Sequence, residues 1–315
     1  MNNFVQTIPL ISRNHNKWLK VILSAVLLIY VMLASAQAAP SKPLVVSSTT
    51  MITDLVNQIG GDVIESQGLM GPGIDPHYYR ATFNDMRLLR RADLVFYNGL
   101  GLEGRMAQVF YNLSALKPTV ALGERLDPQQ LLVINGVVDP HIWLSVPLWI
   151  KVAEQVTTQL IAHFPENQLH FEQNFAKLAA ELNELHDWVL DEVAQLPDER
   201  RKLVTAHDAF GYYGQTYGLE VIAIQGLNTE VEFGLAALQR VKQLVTEYHI
   251  PAVFVESTLP TRSVNALING LAAEGYQLKL GGELLSDALA LAGQPGDTYQ
   301  SMIRHNTLTI IDALK

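Results

Sequence analysis

Short runs of branched apolar residues alternate along the chain with longer stretches in which apolar residues recur every three or four positions. The first run extends from Leu44 to Ser48, and the stretch after it, from Met51 to Ile59, ends at Gly60-Gly61. This pattern is typical of a strand, a helix capped by threonine and a glycine stop. Because strands and helices continue to alternate, we expect parallel sheets rather than hairpins.

One apolar-periodic stretch is much longer than the others. From Glu166 to about Leu196 the sequence contains neither proline nor glycine, and Pro197 then ends the pattern. A helix of this length is longer than one small domain is wide, so we expect it to connect two lobes. Further strands are predicted at Val63 to Gln67, Leu94 to Tyr97, Lys202 to Thr205, Glu220 to Ile224, Ala252 to Glu256 and Gln277 to Leu280.

The predicted fold class is therefore α/β, with two α/β lobes that contain parallel sheets and are joined by one long rigid helix. We place the N-terminal lobe at 39–165, the linking helix at 166–197 and the C-terminal lobe at 198–315. Ligands of open α/β sheets bind beyond the carboxyl ends of the strands, so a cleft between the lobes is the expected site.

The first 38 residues have the pattern of a secretory signal peptide. Basic residues up to Lys20 precede an apolar run from Val21 to about Leu33, and Ala36-Gln37-Ala38 supplies the small residues of a cleavage site. An uncleaved membrane anchor is the alternative interpretation. We expect residues 1–38 to be removed.

Composition narrows the classes of function. The chain has 315 residues, 49% of them hydrophobic, and a formal net charge of -9, which disfavours binding to nucleic acid or an anionic membrane. It contains no cysteine, which excludes disulfides and a lipid-modified cysteine. We therefore predict an exported, soluble periplasmic protein that is not a lipoprotein. Imidazole, carboxylate and water remain as metal ligands.

The tripeptide Asp-Pro-His occurs twice, ending at His77 and at His141, each time in a loop after a predicted strand. A neutral imidazole on a short, proline-stiffened loop is well suited to bind a metal ion. His207 and Asp287 are further candidates downstream. These residues lie far apart in the sequence, unlike zinc-finger ligands, so the predicted metal site would be assembled by tertiary structure.

The sequence resembles the periplasmic metal-binding proteins of ABC transporters for zinc, manganese and iron (cluster A-I) over nearly its whole mature length. The similar blocks are Gly71 to Tyr79, Tyr97 to Glu103, Asp139 to Leu144, Thr205 to Tyr212, Gly281 to Leu289 and Tyr299 to Asn306. The resemblance implies that His77, His141, His207 and Asp287 are the metal ligands. It also implies a non-catalytic protein, expected to be a monomer, that delivers its ion to an inner-membrane permease with a cytoplasmic ATPase.

The identity of the metal follows less directly from the resemblance. Zinc carriers of this family often have a histidine-rich loop between the first two ligands, and manganese carriers often have glutamate at the third. Here Tyr78 to Pro140 contains no histidine, and the third position is His207. This mixture is similar to the subgroup that accepts both ions. We expect one divalent ion as transported ligand, Mn(II) or Zn(II), with Fe(II) as a further candidate.

Two other functions stay open at this point. A zinc metalloenzyme would use metal-bound water and would need an open coordination position. A metal-stabilised adhesin would use the ion only for structure. Outside the four ligands, Glu256 is a candidate acceptor for a ligand histidine. Glu230 and Glu232 are expected to place negative charge at the start of the helix that begins near Leu235, and contact with the mouth of the cleft is the alternative.

Overall fold

The structure is a computed structural model that describes residues 20–24, 42–231 and 234–315. Residues Pro43–Lys315 form one compact unit, which contains both sequence-predicted lobes. Residues 20–24 are helical, and the rest of the predicted signal peptide, with its cleavage point, lies outside the described residues. Within the described residues, none of the helices combines the length and the apolar character needed to cross a bilayer.

The first lobe is built on a four-stranded parallel sheet in the order β2-β1-β3-β4. The strands are β1 (Leu44–Ser47), β2 (Glu65–Gly68), β3 (Leu94–Tyr97) and β4 (Thr119–Ala121), and the helices between them are α1 (Thr50–Gly60), α2 (Phe83–Arg91) and α3 (Ala107–Ser114). Thr49 caps α1, and Thr82 forms a reciprocal capping box with Asp85 at the start of α2. Since all four strands are parallel, the loops after them leave the same edge of the sheet.

An antiparallel hairpin departs from the predicted pattern. Strand β5 (Val133–Ile134) pairs with β6 (Val137–Val138), so the expectation of purely parallel pairing is wrong here. Asn135 and Gly136 form the turn with positive φ angles of 52° and 81°. Asn-Gly adopts such a two-residue turn at little cost, and the dipeptide is itself a hairpin signal. The hairpin leads directly into the second Asp-Pro-His tripeptide.

The long helix is present, somewhat shorter than predicted. Helix α4 (Val146–His163) precedes it, and α5 (Gln168–Ala194) extends over 27 residues after a 3-10 turn at Pro165–Asn167. Its apolar face is buried; the residues are Phe171, Leu178, Leu182, Leu185, Val189 and Val193. Helix α5 packs against α1 of the first lobe and against α9 (Tyr299–Leu314) of the second, as expected of a connecting helix.

The second lobe contains two pairs of parallel strands. Strand β7 (Lys202–His207) pairs with β8 (Glu220–Gln225), and β9 (Ala252–Glu256) pairs with β10 (Lys279–Leu284). The remaining helices are α6 (Gly211–Tyr217), α7 (Leu235–Glu247) and α8 (Arg262–Ala272). Strand β10 ends four residues later than predicted because the strand continues through Gly281-Gly282 with a register shift.

The lobes share a buried junction next to the long helix. The rings of Trp149 and Tyr299 stack with centroids 5.5 Å apart. The hydroxyl of Tyr299 donates to the carbonyl of Trp143 at 2.7 Å, and the indole of Trp143 donates to the carbonyl of Ser286 at 2.6 Å. Because these groups belong to one continuous apolar cluster, the lobes are joined here as firmly as a single core. The lobe boundaries themselves remain a prediction.

Candidate metal centre

Three loops and the end of strand β7 bring one side chain each to a single buried point, two from each lobe. His77, His141, His207 and Asp287 are all buried, and their candidate ligand atoms all lie within 4.8 Å of one another. Three of them follow or end parallel strands at the carboxyl edge, where a ligand is expected in an α/β sheet. The sequence-predicted residues thus converge in the cleft between the lobes.

The two Asp-Pro-His loops share a local hydrogen bond that holds the histidine. The Asp75 carboxylate accepts the backbone N–H of His77 at 2.9 Å, and the Asp139 carboxylate accepts that of His141 at 2.9 Å. This is a turn in which an aspartate accepts the N–H of the second residue after it. Each loop is therefore fixed by its own first residue, a role that the tripeptide pattern did not reveal.

The two loops differ in what else the aspartate contacts. Asp139 also lies 2.7 Å from Nδ1 of the His141 ring, so it fixes the ring and turns Nε2 toward the centre. Asp75 instead accepts the hydroxyl of Thr229, from the opposite lobe, at 2.7 Å. Within the part of the chain that the structure describes, no carboxylate pairs with Nδ1 of His77.

His207, the last residue of β7, is held by Glu256 at the end of β9. One Glu256 oxygen accepts the backbone N–H of His207 at 2.9 Å, and the other lies 2.5 Å from Nδ1 of its ring. The structure therefore places Glu256 as the acceptor that the sequence suggested. A carboxylate at Nδ1 leaves Nε2 free to bind a cation and makes it a stronger ligand.

Asp287 lies in the loop after β10, and two hydrogen bonds from α9 hold the backbone of this loop. Asn306 on α9 accepts the N–H of Leu285 and donates to its carbonyl, both at 2.8 Å. Helix α9 is capped by Thr298, so Asp287 does not act as its cap. Both Asp287 oxygens are buried without a hydrogen bond from the described residues. A buried carboxylate in this state needs a cationic partner.

Burial and neighbouring charges shift the pKa values of His77, His207 and Asp287 in different directions. Burial lowers the pKa of His77 to about 3, which keeps its imidazole neutral and able to coordinate. Burial also opposes charge on His207, but the carboxylates of Glu256 and Asp287 hold its pKa well above the usual value. Burial would raise the pKa of Asp287, yet the histidines lower it. A cation that enters the centre would compete with protons for these side chains.

The spacing of the candidate atoms suits one metal ion. Nε2 of His77 lies 3.4 Å from Nε2 of His141, and Nε2 of His207 lies 3.3 Å from Oδ2 of Asp287. Oδ1 of Asp287 lies 3.7 Å from Nε2 of His141. A tetrahedral ion with bonds of about 2.0–2.2 Å holds its ligands about 3.3–3.6 Å apart. The two shortest distances match such a shell, whereas the others, including 3.9 Å between Nε2 of His77 and Oδ2 of Asp287, are wider, up to 4.8 Å. Three imidazoles and a carboxylate are also a donor set that transition metals accept.

Glu230 does not have the role expected from the sequence. It forms an ion pair with Arg105 of the first lobe, and Gly234 occupies the cap position of α7. The pairing of Glu230 with Arg105 has no local signal in the sequence, because the two residues lie far apart along the chain. Glu232 lies outside the described residues.

The fold and the centre together define a class of protein. Two α/β lobes joined by a long helix, with a buried cluster of three histidines and one aspartate between them, are the architecture of a metal-binding substrate-binding protein. The chain belongs to the ZnuA family, described as zinc-uptake complex component A, periplasmic, whose profile matches residues 45–313.

Relatives with different metals in their names resemble the chain. It is 39% identical to the manganese-binding lipoprotein MntA of Bacillus subtilis, over 90% of this chain and 93% of that one. The periplasmic zinc-binding protein TroA of Treponema pallidum superposes with a TM-score of 0.85 at 40% identity, over 87% of this chain and 99% of that one. Fe(III)-bound YtgA of Chlamydia trachomatis gives 0.78 at 28% identity, over 87% and 98%.

The relatives correct one prediction. MntA of Bacillus subtilis, FimA of Streptococcus parasanguinis and PsaA of Streptococcus pneumoniae are named lipoproteins, which contradicts the prediction of a soluble protein that is not a lipoprotein. That prediction rested on the missing cysteine alone, and one missing attachment residue is too narrow a basis for the relation of a protein to the membrane. A location outside the cytoplasm is consistent with these relatives.

Proposed function

We propose that this protein captures one divalent transition-metal ion outside the cytoplasm and delivers it to an ABC permease that is driven by a separate ATPase. His77, His141, His207 and Asp287 are the proposed ligands. The observation that carries the proposal is the unsatisfied Asp287 carboxylate, buried at ion-pair distance from three imidazoles. The family of metal-binding substrate-binding proteins supports the transport role.

Manganese(II) and zinc(II) are the proposed cargo, and iron is a further candidate. The names of MntA and TroA include manganese and zinc, and the crystal structure of YtgA contains Fe(III). Three imidazoles favour zinc at four-coordination, whereas an Asp287 that binds through both oxygens would extend the shell and admit manganese. The metal is released unchanged, so it is a substrate of transport rather than a resident cofactor.

The protein is proposed to have no catalytic activity. Four protein side chains complete a tetrahedral shell, whereas a catalytic zinc keeps three protein ligands and one open position. Each histidine that has a carboxylate at Nδ1 uses it to orient the ring toward the ion. A monomer is proposed as the functional unit.

Metal titration tests the binding step. Metal-free protein should take up one Mn(II) or Zn(II) per chain and unfold at a higher temperature when loaded, because the ion binds only the folded state. His141→Ala should lose this shift. His163→Ala, an exposed histidine at the end of α4, is the matched control and should keep it. A wild-type protein that shows no shift with either ion contradicts the proposal.

Uptake measurements test the transport step separately. Deletion of the gene should lower accumulation of the cognate metal, and wild type should restore it while His77→Ala should not. Metal analysis of protein purified from its own cell envelope would identify the cargo. Normal uptake in the deletion strain, with metal still bound by the purified protein, would favour a structural use of the ion.

A further inference from the structure

The lobes meet a second time at the outer edge of the cleft, away from the buried tryptophans. Asp75, Tyr78 and Arg105 belong to the first lobe, and Thr229 and Glu230 belong to the second. We call these five residues the rim contact. The loops that carry them all follow carboxyl ends of strands, β2, β3 and β8, so the rim contact lies on the same side of the sheets as the metal centre.

Thr229 is connected to the metal centre through one carboxylate. Its hydroxyl donates to Oδ2 of Asp75 at 2.7 Å, while Oδ1 of the same carboxylate accepts the N–H of His77 at 2.9 Å. Thr229 is only 3% exposed, so water competes little for this hydrogen bond. A residue of the second lobe thereby fixes the loop that presents a ligand of the first.

The corresponding aspartate of the His141 loop contacts its histidine differently. Asp139 contacts both the backbone and the ring of His141, and its other oxygen has no hydrogen bond from the described residues. The His141 ring is thus oriented by the aspartate of its own loop, while Tyr212 of the second lobe holds only the backbone there, through a hydrogen bond to the Asp139 carbonyl at 2.9 Å. His77 receives only the backbone hydrogen bond from its aspartate, and the free end of that aspartate is held across the cleft.

The rest of the rim contact keeps Thr229 in position. The hydroxyl of Tyr78 donates to the carbonyl of Thr229 at 3.0 Å. The guanidinium of Arg105 lies 5.1 Å from the centre of the Tyr78 ring and forms an ion pair with Glu230. Gln225 donates to the same Thr229 carbonyl at 2.7 Å. If the lobes separated at this edge, the hydrogen bonds of Thr229 to Asp75 and Tyr78 would break at the same time.

We propose that Thr229 is a positioning residue for metal retention, which holds the His77 loop from the opposite lobe through Asp75. The inference rests on the proposed function, in that His77 must bind the transported ion. When the lobes separate at the rim, Asp75 loses its partner and the His77 loop gains freedom. His77 is then the first ligand to leave, and release of the ion is tied to movement of the lobes.

Metal release kinetics test the inference. Zn(II)-loaded wild type, Thr229→Val, Thr229→Ala and Thr229→Ser are mixed with an excess of a chromophoric chelator, and the dissociation rate is measured. Loss of a hydrogen bond to a carboxylate should raise the rate about 10-fold or more in Thr229→Val and Thr229→Ala. Thr229→Ser keeps the hydroxyl and should release at the wild-type rate. Thr158→Val, an exposed threonine of α4, is the matched control.

A double mutant separates positioning from a merely structural role. In the His77→Ala background, loaded at higher zinc concentration, Thr229→Val should no longer change the dissociation rate, because its effect acts through His77. A persisting effect in that background would overturn the inference. Zinc release from Thr229→Val at the wild-type rate would also overturn the inference. A wild-type protein that binds neither zinc nor manganese would instead overturn the proposed function itself.

Discussion

Two of the places where the lobes meet are built from different interactions. Beside the long helix, Trp143, Trp149 and Tyr299 form a buried junction that is continuous with the main apolar cluster. At the rim, the lobes are joined by two hydrogen bonds across the cleft and by the Arg105–Glu230 ion pair, whose side chains are 31% and 29% exposed. Buried apolar surface stabilises the junction beside the long helix, whereas polar contacts stabilise the rim. The lobes should therefore part at the rim and stay joined at the tryptophans.

The largest effect is expected from the buried junction. Trp149→Ala removes a fully buried ring that stacks on Tyr299 and leaves a cavity between the lobes. We expect a loss of about 3–5 kcal/mol in the free energy of unfolding, measured with denaturant. Tyr111→Ala, at an aromatic side chain that is 73% exposed, is the control and should change little. A loss of less than about 1 kcal/mol for Trp149→Ala would show that the junction is not a shared core.

Asp139 should affect metal affinity without holding the lobes together. Asp139→Ala frees the ring of His141 and should weaken metal binding about 10- to 100-fold, measured by competition with a chelator. Asp127→Ala is a close match, because Asp127 also precedes a proline and accepts the N–H of the second residue after it, but at an exposed position. Unchanged affinity in Asp139→Ala would contradict a role in orienting the ring.

A buried carboxylate near the junction should make stability depend on pH. Asp54 on α1 accepts the N–H of Tyr299 and the amide of Gln58, and burial raises the pKa of its carboxyl. Folding therefore disfavours the ionised form, and this cost grows as the pH rises from the unfolded pKa through the raised folded pKa. Asp54→Asn avoids the charge, so its stability relative to wild type should increase between pH 3 and pH 7. Unfolding temperatures at several pH values test this, and a difference that shrinks with pH would contradict it.

The smallest effect on stability is expected at the rim. Arg105→Gln removes a partly exposed ion pair and the contact with the Tyr78 ring, and should cost about 0.2–1 kcal/mol in the unfolding of the metal-free protein. The loss should decrease at high salt because the charges are screened. Lys177→Gln, at the exposed Lys177–Glu181 pair of α5, is the control for an ordinary surface charge. A loss as large as that of Trp149→Ala would abolish the distinction between the two contacts.

Sequence reasoning reached the α/β architecture, the connecting helix and the two Asp-Pro-His loops because each leaves a local mark, whereas the ligand roles of His207 and Asp287 follow from the resemblance to the family. Proline-stiffened loops after strands mark His77 and His141, and a long stretch without glycine or proline marks α5. Asn135-Gly136 is an equally local signal of the hairpin, although the alternation of strands and helices predicts only parallel sheets. The Thr229–Asp75 and Arg105–Glu230 contacts leave no such mark, because their partners meet only after the whole chain has folded.

The long helix has a mechanical consequence for delivery of the ion. Trp149 and Tyr299 lie on helices that pack on α5, whereas Thr229 and Asp75 lie on loops at the strand ends. If one lobe rotates slightly about α5, the loops at the strand ends move farther than the helices that pack on α5. A hydrogen bond is lost within about an ångström of extra separation, while packed apolar groups tolerate a slight tilt. A permease would thus need only to tilt one lobe slightly to dislodge His77, and the protein could return undamaged for the next ion.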